Sequence, residues 1–194
     1  MPFPTNHPRI AALLEQAPCN ELGPGSPIVA LRPQLSALTS ANLFEPQKVV
    51  ARSLALACLA GLWLRFNFHD ESHEISQNLS SVEGSYWHGI LHRREPDYRN
   101  AQYWFRRVPK HPVFPELQQA AQQLAAAQQS VGQLPIEAEY LLTAKQWDAA
   151  RFVDLCELAA SGDTNLQTLC RQIQQREWEL LFAHCQAGAL GAAR

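Results

Sequence analysis

From Ser53 to Leu64 the chain carries no charge, and Arg52 and Arg65 close the run at either end. A bilayer-crossing helix needs about 20 apolar residues, so this stretch is too short to span one and too apolar to lie in water. Other parts of the chain have to bury it. Val49, Val50, Leu54, Ala57, Cys58, Leu62 and Phe66 fall on nearly every face of a helix, as expected of one enclosed by neighbours. The sequence therefore predicts a hydrophobic helix from Pro46 to Phe66 at the centre of the fold, with proline in its first turn.

The remaining punctuation reads as more helices. Pro2, Pro4, Pro8, Pro18, Pro24 and Pro27, with Gly23 and Gly25, forbid a long helix at the start. Pro8 opens a short one to Gln16, and Pro27 opens another to Leu38 that Pro33 bends or ends. Beyond Phe68 the central helix continues through His69 to Gln77, kinked near Asn67. Ser80 and Glu83 form a capping box for a helix that ends near Glu95, before Pro96. Asp97 caps a helix over Tyr98–Val108, and Pro109, Pro112 and Pro115 make a rigid loop. Further helices are expected over Glu116–Gln129, from Pro135 to Ala144, over Trp147–Ser161, and from Thr164, boxed with Gln167, to Ala187. No segment alternates with the period of a strand, and nothing repeats at a fixed period. The expected fold is all-α: a proline-rich segment (1–26), one domain of about seven to eight helices (27–187) and a flexible tail (188–194).

Composition excludes several classes. Net charge is −2 over 194 residues, so no global field draws the chain to nucleic acid or anionic lipid. The five cysteines form no CxxC pair, which fits reduced, buried thiols in a cytosolic protein. The start Met1-Pro2-Phe3-Pro4 lacks a basic region, and Ile10–Leu14 is too short for a secretory core. A cytoplasmic protein with no membrane association is expected.

Chemistry concentrates between Phe66 and His111. His69/His73 and His88/His92 are two pairs at helical i,i+4 spacing, so each pair shares a face. Helices joined by a short turn near Asn78–Val82 pack as neighbours, and their imidazoles can converge. Imidazoles with carboxylates nearby (Asp70, Glu71, Glu74, Glu95) suit a divalent transition-metal cofactor, for which His73, His88 and His92 are the candidate ligands. Arg93 and Arg94 offer forks for an anionic group. The expected cleft is lined by His69, Glu71, His73, His88, His92, Arg93 and Arg94, and its expected partner is a small anionic molecule. A hydrogen-bonded polar core or a wet surface would use the same residues without a ligand. His111 and His184 stand alone in the sequence and receive no role.

The next segment is basic and aromatic. Arg93, Arg94, Arg99, Arg106, Arg107 and Lys110 outweigh Glu95 and Asp97, and Tyr98, Tyr103, Trp104 and Phe105 lie between them. The positive charge is local and no recognition motif is visible, so nucleic acid is not the expected partner. The alternative function is a non-catalytic helical interaction module using the Tyr98–Arg107 surface, because arginine and aromatic residues dominate binding hot spots.

The run from Ser85 to Val108, which contains Tyr86-Trp87-His88, His92-Arg93-Arg94-Glu95-Pro96-Asp97-Tyr98 and Tyr103-Trp104-Phe105-Arg106-Arg107, resembles a segment of a family of uncharacterised bacterial and fungal proteins. His69-Asp70-Glu71-Ser72-His73-Glu74-Ile75-Ser76-Gln77 resembles part of the same pattern. The resemblance implies kinship but brings no activity, cofactor or substrate. His69-Asp70 also resembles the adjacent pair of the metal-dependent HD phosphohydrolases, which need a further histidine upstream. The only upstream histidine is His7. Asp97–Trp104 is similar to the second half of a tetratricopeptide-type repeat, but one copy cannot build a stacked core.

Overall fold

The computed structural model describes residues 7–17, 20–162 and 164–192. Those residues form an all-helical fold of ten α-helices with two short 3₁₀ turns. No helix among them is long and apolar enough to cross a membrane. In chain order they are α1 (Pro8–Leu14), α2 (Arg32–Ser36), α3 (Arg52–Arg65), α4 (His69–Gln77), α5 (Val82–Arg94), α6 (Tyr98–Phe105), α7 (Phe114–Ser130), α8 (Tyr140–Thr143), α9 (Ala149–Ala160) and α10 (Thr164–Ala189). The count exceeds the expected seven to eight because short turns near prolines become separate helices. Pro33 and Pro115 each sit in a first turn, of α2 and α7, instead of ending or preceding a helix.

The apolar run folds as a helix that starts later than expected. Residues 50 and 51 are diverted to α10, where the Val50 N–H donates to the Ala189 carbonyl (2.8 Å). Ala51 is extended and α3 opens at Arg52. Every residue from Ala57 to Arg65 is buried, packed against α4, α5 and α10. Gly61 allows the closest approach: a Cβ there would meet Trp87 Cζ2 at 2.7 Å. The Trp178 indole donates to the Gly61 carbonyl (2.8 Å) and ties α10 to the same point.

The helix does not run on into His69 through a kink. Asn67 adopts φ +65°, the left-handed conformation that asparagine tolerates. The Phe68 N–H bonds back to Trp63 O (2.9 Å) and the Asn67 N–H to Leu64 O (3.1 Å), the paired bonds that terminate a helix. The new helix, α4, is anchored to α3 by Ser72 Oγ donating to the Ala60 carbonyl (2.9 Å).

α5 is as enclosed as α3, although its sequence is far more polar. Every residue from Gly84 to Arg94 is buried. Its cap is Ser81, one residue later than expected, with Oγ accepting from the Gly84 N–H (3.1 Å). Asp97 caps α6 as expected, accepting from the Asn100 N–H (3.2 Å), and α6 ends at Phe105. α10 continues through Gly188 to Ala189, since the missing side chain at Gly188 makes room for Leu54 of α3. A helix so enclosed must satisfy its polar groups internally, and α5 carries His88, His92, Arg93 and Arg94.

Candidate metal centre

α4 and α5 pack directly against each other. His73 comes from the middle of α4, and His88 and His92 come from successive turns of α5. The ring centroids lie 4.5 Å apart for His73 and His88, 4.6 Å for His88 and His92, and 5.5 Å for His73 and His92. One ring nitrogen from each histidine lies within 4.8 Å of the other two. His88 and His92 are buried and His73 is half-buried.

The groups around the triad fix its rings. Ser76 Oγ meets His88 Nδ1 at 3.0 Å, which leaves Nε2 as the His88 nitrogen for a ligand. The Asn100 amide donates to His92 Nε2 (3.1 Å). On the opposite edge, His92 Nδ1 lies 3.1 Å from Glu95 Oε2, though poorly aligned for a hydrogen bond. Trp104 covers His88 at 4.1 Å between centroids, and the Arg107 guanidinium lies 5.1 Å from the Trp104 ring on α6.

Electrostatics keep the buried imidazoles neutral. Burial, then His92 and His73, pull the His88 pKa down to about 3. Burial and His73 also lower His92, against an opposing pull from Asp97. A neutral imidazole has a lone pair to give, which is what a metal ion requires.

The other expected site residues lie elsewhere. His69 Nε2 contacts the Pro24 carbonyl (3.0 Å), and burial with Arg94 nearby lowers its pKa to about 4. Glu71 pairs with Arg32. Both border a hollow of about 260 Å³ that also includes Asp70 and Glu95. Glu95 links this hollow to the triad, with its carboxyl raised by burial and pulled back down by His73. Arg93 is buried against Glu177. The Arg94 guanidinium donates to Leu64 O (2.7 Å), Asn67 Oδ1 (2.7 Å) and the Gly23 and Pro24 carbonyls (3.3 Å each). Both arginines are thus committed inside the protein. The anion-binding role expected of them has no support in this geometry. The HD-type pairing also fails to assemble: Asp70 is exposed, and His7 Nε2 contacts the Glu45 carbonyl (2.9 Å).

Sequence reasoning missed a second cluster. Glu83 at the start of α5, His111 in the α6–α7 loop and His184 on α10 bring one ligand atom each within 4.8 Å of the others. Glu83 Oε1 and His184 Nε2 are 3.5 Å apart, and the His111 and His184 rings are 4.8 Å apart. The pairing with His184 holds the Glu83 carboxyl down at about 2 despite burial. The three residues sit on three separate elements, so no local spacing could have joined them.

No protein-family model matches the chain, no curated protein matches its sequence, and no solved structure matches its fold.

Proposed function

We propose that the protein holds a divalent transition-metal ion on His73, His88 and His92 and acts through it on a small molecule. One observation carries this reading: three imidazoles from two helices bring one ring nitrogen each within 4.8 Å of the others, and burial keeps His88 and His92 in the neutral form that can ligate. Three protein nitrogens with a position left for water or substrate are the donor set of catalytic zinc sites. Such an ion would act as a Lewis acid and lower the pKa of a bound water to about 7. Ser76 and Glu95 would orient His88 and His92 by holding their outer nitrogens, as outer partners of metal-bound imidazoles do. Binding would displace the Asn100 amide from His92 Nε2. The ion itself, in place of Arg93 and Arg94, would attract an anionic or carbonyl-bearing ligand. The two segments that resemble the family of uncharacterised bacterial and fungal proteins supply all three imidazoles, and we propose kinship with it on that ground.

Chelator-stripped protein reloaded with Co²⁺ should show ligand-field absorption that azide shifts, because the open position accepts a small anion. His88→Ala and His92→Ala should lose that azide-sensitive component while keeping their far-UV circular dichroism. Absorption that is absent, or unchanged in a folded His88→Ala variant, would overturn the reading.

A second reading rests on Tyr103, which is 47% exposed on the outer face of α6 beside Arg106 and Arg107. That face suits a protein partner, and Tyr103→Ala should weaken capture of one without affecting metal loading.

A further inference from the structure

We infer that Glu83, His111 and His184 form a second divalent-metal site, independent of the trihistidine reading. Two imidazoles and one carboxylate with a coordination position to spare are a known donor set for zinc. Here the donors come from α5, the α6–α7 loop and α10, so an ion would clamp a proline-bounded loop onto two helices. Their ligand atoms already lie within 4.8 Å of one another. Closing the remaining gap is a matter of side-chain adjustment in Glu83 and His184, which retain some solvent access, with 18% and 20% of their side chains exposed.

The surroundings suit an ion better than a plain ion pair does. The Glu83–His184 contact needs no third donor, yet the buried His111 ring is set against His184 and held edge-on by Tyr86 at 5.1 Å. His111 also forms part of the wall of a hollow of about 430 Å³, together with Lys110, Phe114, Lys145 and Trp147. The partial exposure of Glu83 and His184 gives an ion its way in, and an entry path is one requirement of a metal site. The Val113 N–H contacts His111 Nδ1 at a long 3.3 Å. A neutral imidazole has a single lone pair, so coordination through either nitrogen ends this contact: the ion takes Nδ1, or the proton moves there. Binding therefore ends this weak hydrogen bond and replaces the Glu83–His184 pairing with bonds to the metal.

The test is zinc stoichiometry in the full chain, measured by elemental analysis after chelator stripping, Zn²⁺ loading and desalting. The wild type should carry one equivalent for each cluster. His88→Ala should keep the equivalent held by Glu83, His111 and His184, whereas His184→Ala should lose it and keep the other. Glu83→Gln, nearly isosteric, should weaken zinc binding at least tenfold in competition with a chelating dye. Its far-UV circular dichroism in the absence of zinc should match the wild type, with Tm lowered only by loss of the Glu83–His184 pairing, so loss of fold cannot mimic loss of metal. If the trihistidine reading alone fails, the wild type holds one equivalent that His88→Ala leaves in place and His184→Ala removes. A folded His184→Ala variant with wild-type zinc content overturns the second site, as does a His88→Ala variant that holds none.

Discussion

The most demanding test of the packing concerns Arg93 and Glu177, whose side chains are 1% and 0% exposed. Nε and Nη1 of Arg93 lack hydrogen-bond partners, and the guanidinium lies over Phe152 at 4.7 Å. Glu177 therefore carries most of the compensation for this buried charge, and it also accepts from the Tyr86 hydroxyl (3.2 Å). Burial works to lower the Arg93 pKa, and Glu177, with Cys156 and Tyr86 beside it, more than offsets it. Removing one partner of such a pair costs about 3–5 kcal/mol. At about 2–4 °C per kcal/mol for a protein of this size, Glu177→Leu should lower Tm by about 6–20 °C. Arg93→Met with Glu177→Leu should recover most of that loss, leaving about 1–3 kcal/mol for the orphaned Tyr86 hydroxyl. Adding Tyr86→Phe should remove the remainder. Urea denaturation followed by circular dichroism, in chelator to exclude metal effects, measures all three. The reasoning fails if Glu177→Leu costs under about 1 kcal/mol, or if the double variant is no more stable than the single.

Two further outcomes follow from the packing and the titrating groups. Gly61→Ala should destabilise by about 1–3 kcal/mol through overpacking, because the new methyl would sit 2.7 Å from Trp87; a variant that melts higher than the wild type would contradict the close approach of α3 and α5. His69 has a folded pKa of about 4, below its ordinary 6.5, so the folded state binds fewer protons than the unfolded state between those values. Its contribution is complete above pH 6.5, declines as pH falls towards 4 and is flat below, amounting to about 2 kcal/mol after solvent screening. His69→Gln should reduce the slope between pH 4 and 6.5, to which buried His88 also contributes, and an unchanged slope would remove His69 as a source.

The sequence made the helical class legible because its signals are local. Apolar runs, the Asp97 cap and the four-residue spacing of the histidines each depend on neighbours along one helix. The pairing of α4 with α5 followed from the short turn between them, and with it the meeting of His73, His88 and His92. What stayed hidden depends on distant partners. Asn67 ends α3 in a left-handed turn, and its side chain bonds to Ser26 and Arg94, so the break after Phe66 was not visible in the local pattern. His69 has the same spacing to His73 as His88 to His92, yet the Pro24 carbonyl engages it. Arg93 and Arg94 read as forks for an anionic ligand in the cleft because their partners, Glu177 on α10 and carbonyls near residues 23 and 64, lie far along the chain. The second metal cluster was hidden for the same reason.

The segment from Asn20 to Ile28 has no helix of its own, and most of its side chains face solvent. Its carbonyls are taken one after another: Glu21 by Gln174, Gly23 by Arg94, Pro24 by Arg94 and His69, and Ser26 by Asn67. Prolines lack an N–H, so this stretch offers the rest of the molecule mainly acceptors, and the donors come from the α3–α4 junction, α4, α5 and α10. Its route is therefore written in other parts of the chain. Apart from Gly25, which must turn at φ +64° against Asn67, Asn20, whose side chain bonds to Arg65 and Asn67, and Leu22 and Ile28, which pack against the core, its residues are free to drift so long as the backbone keeps its path. The residues that would register a fault in that path are the distant donors that grip it.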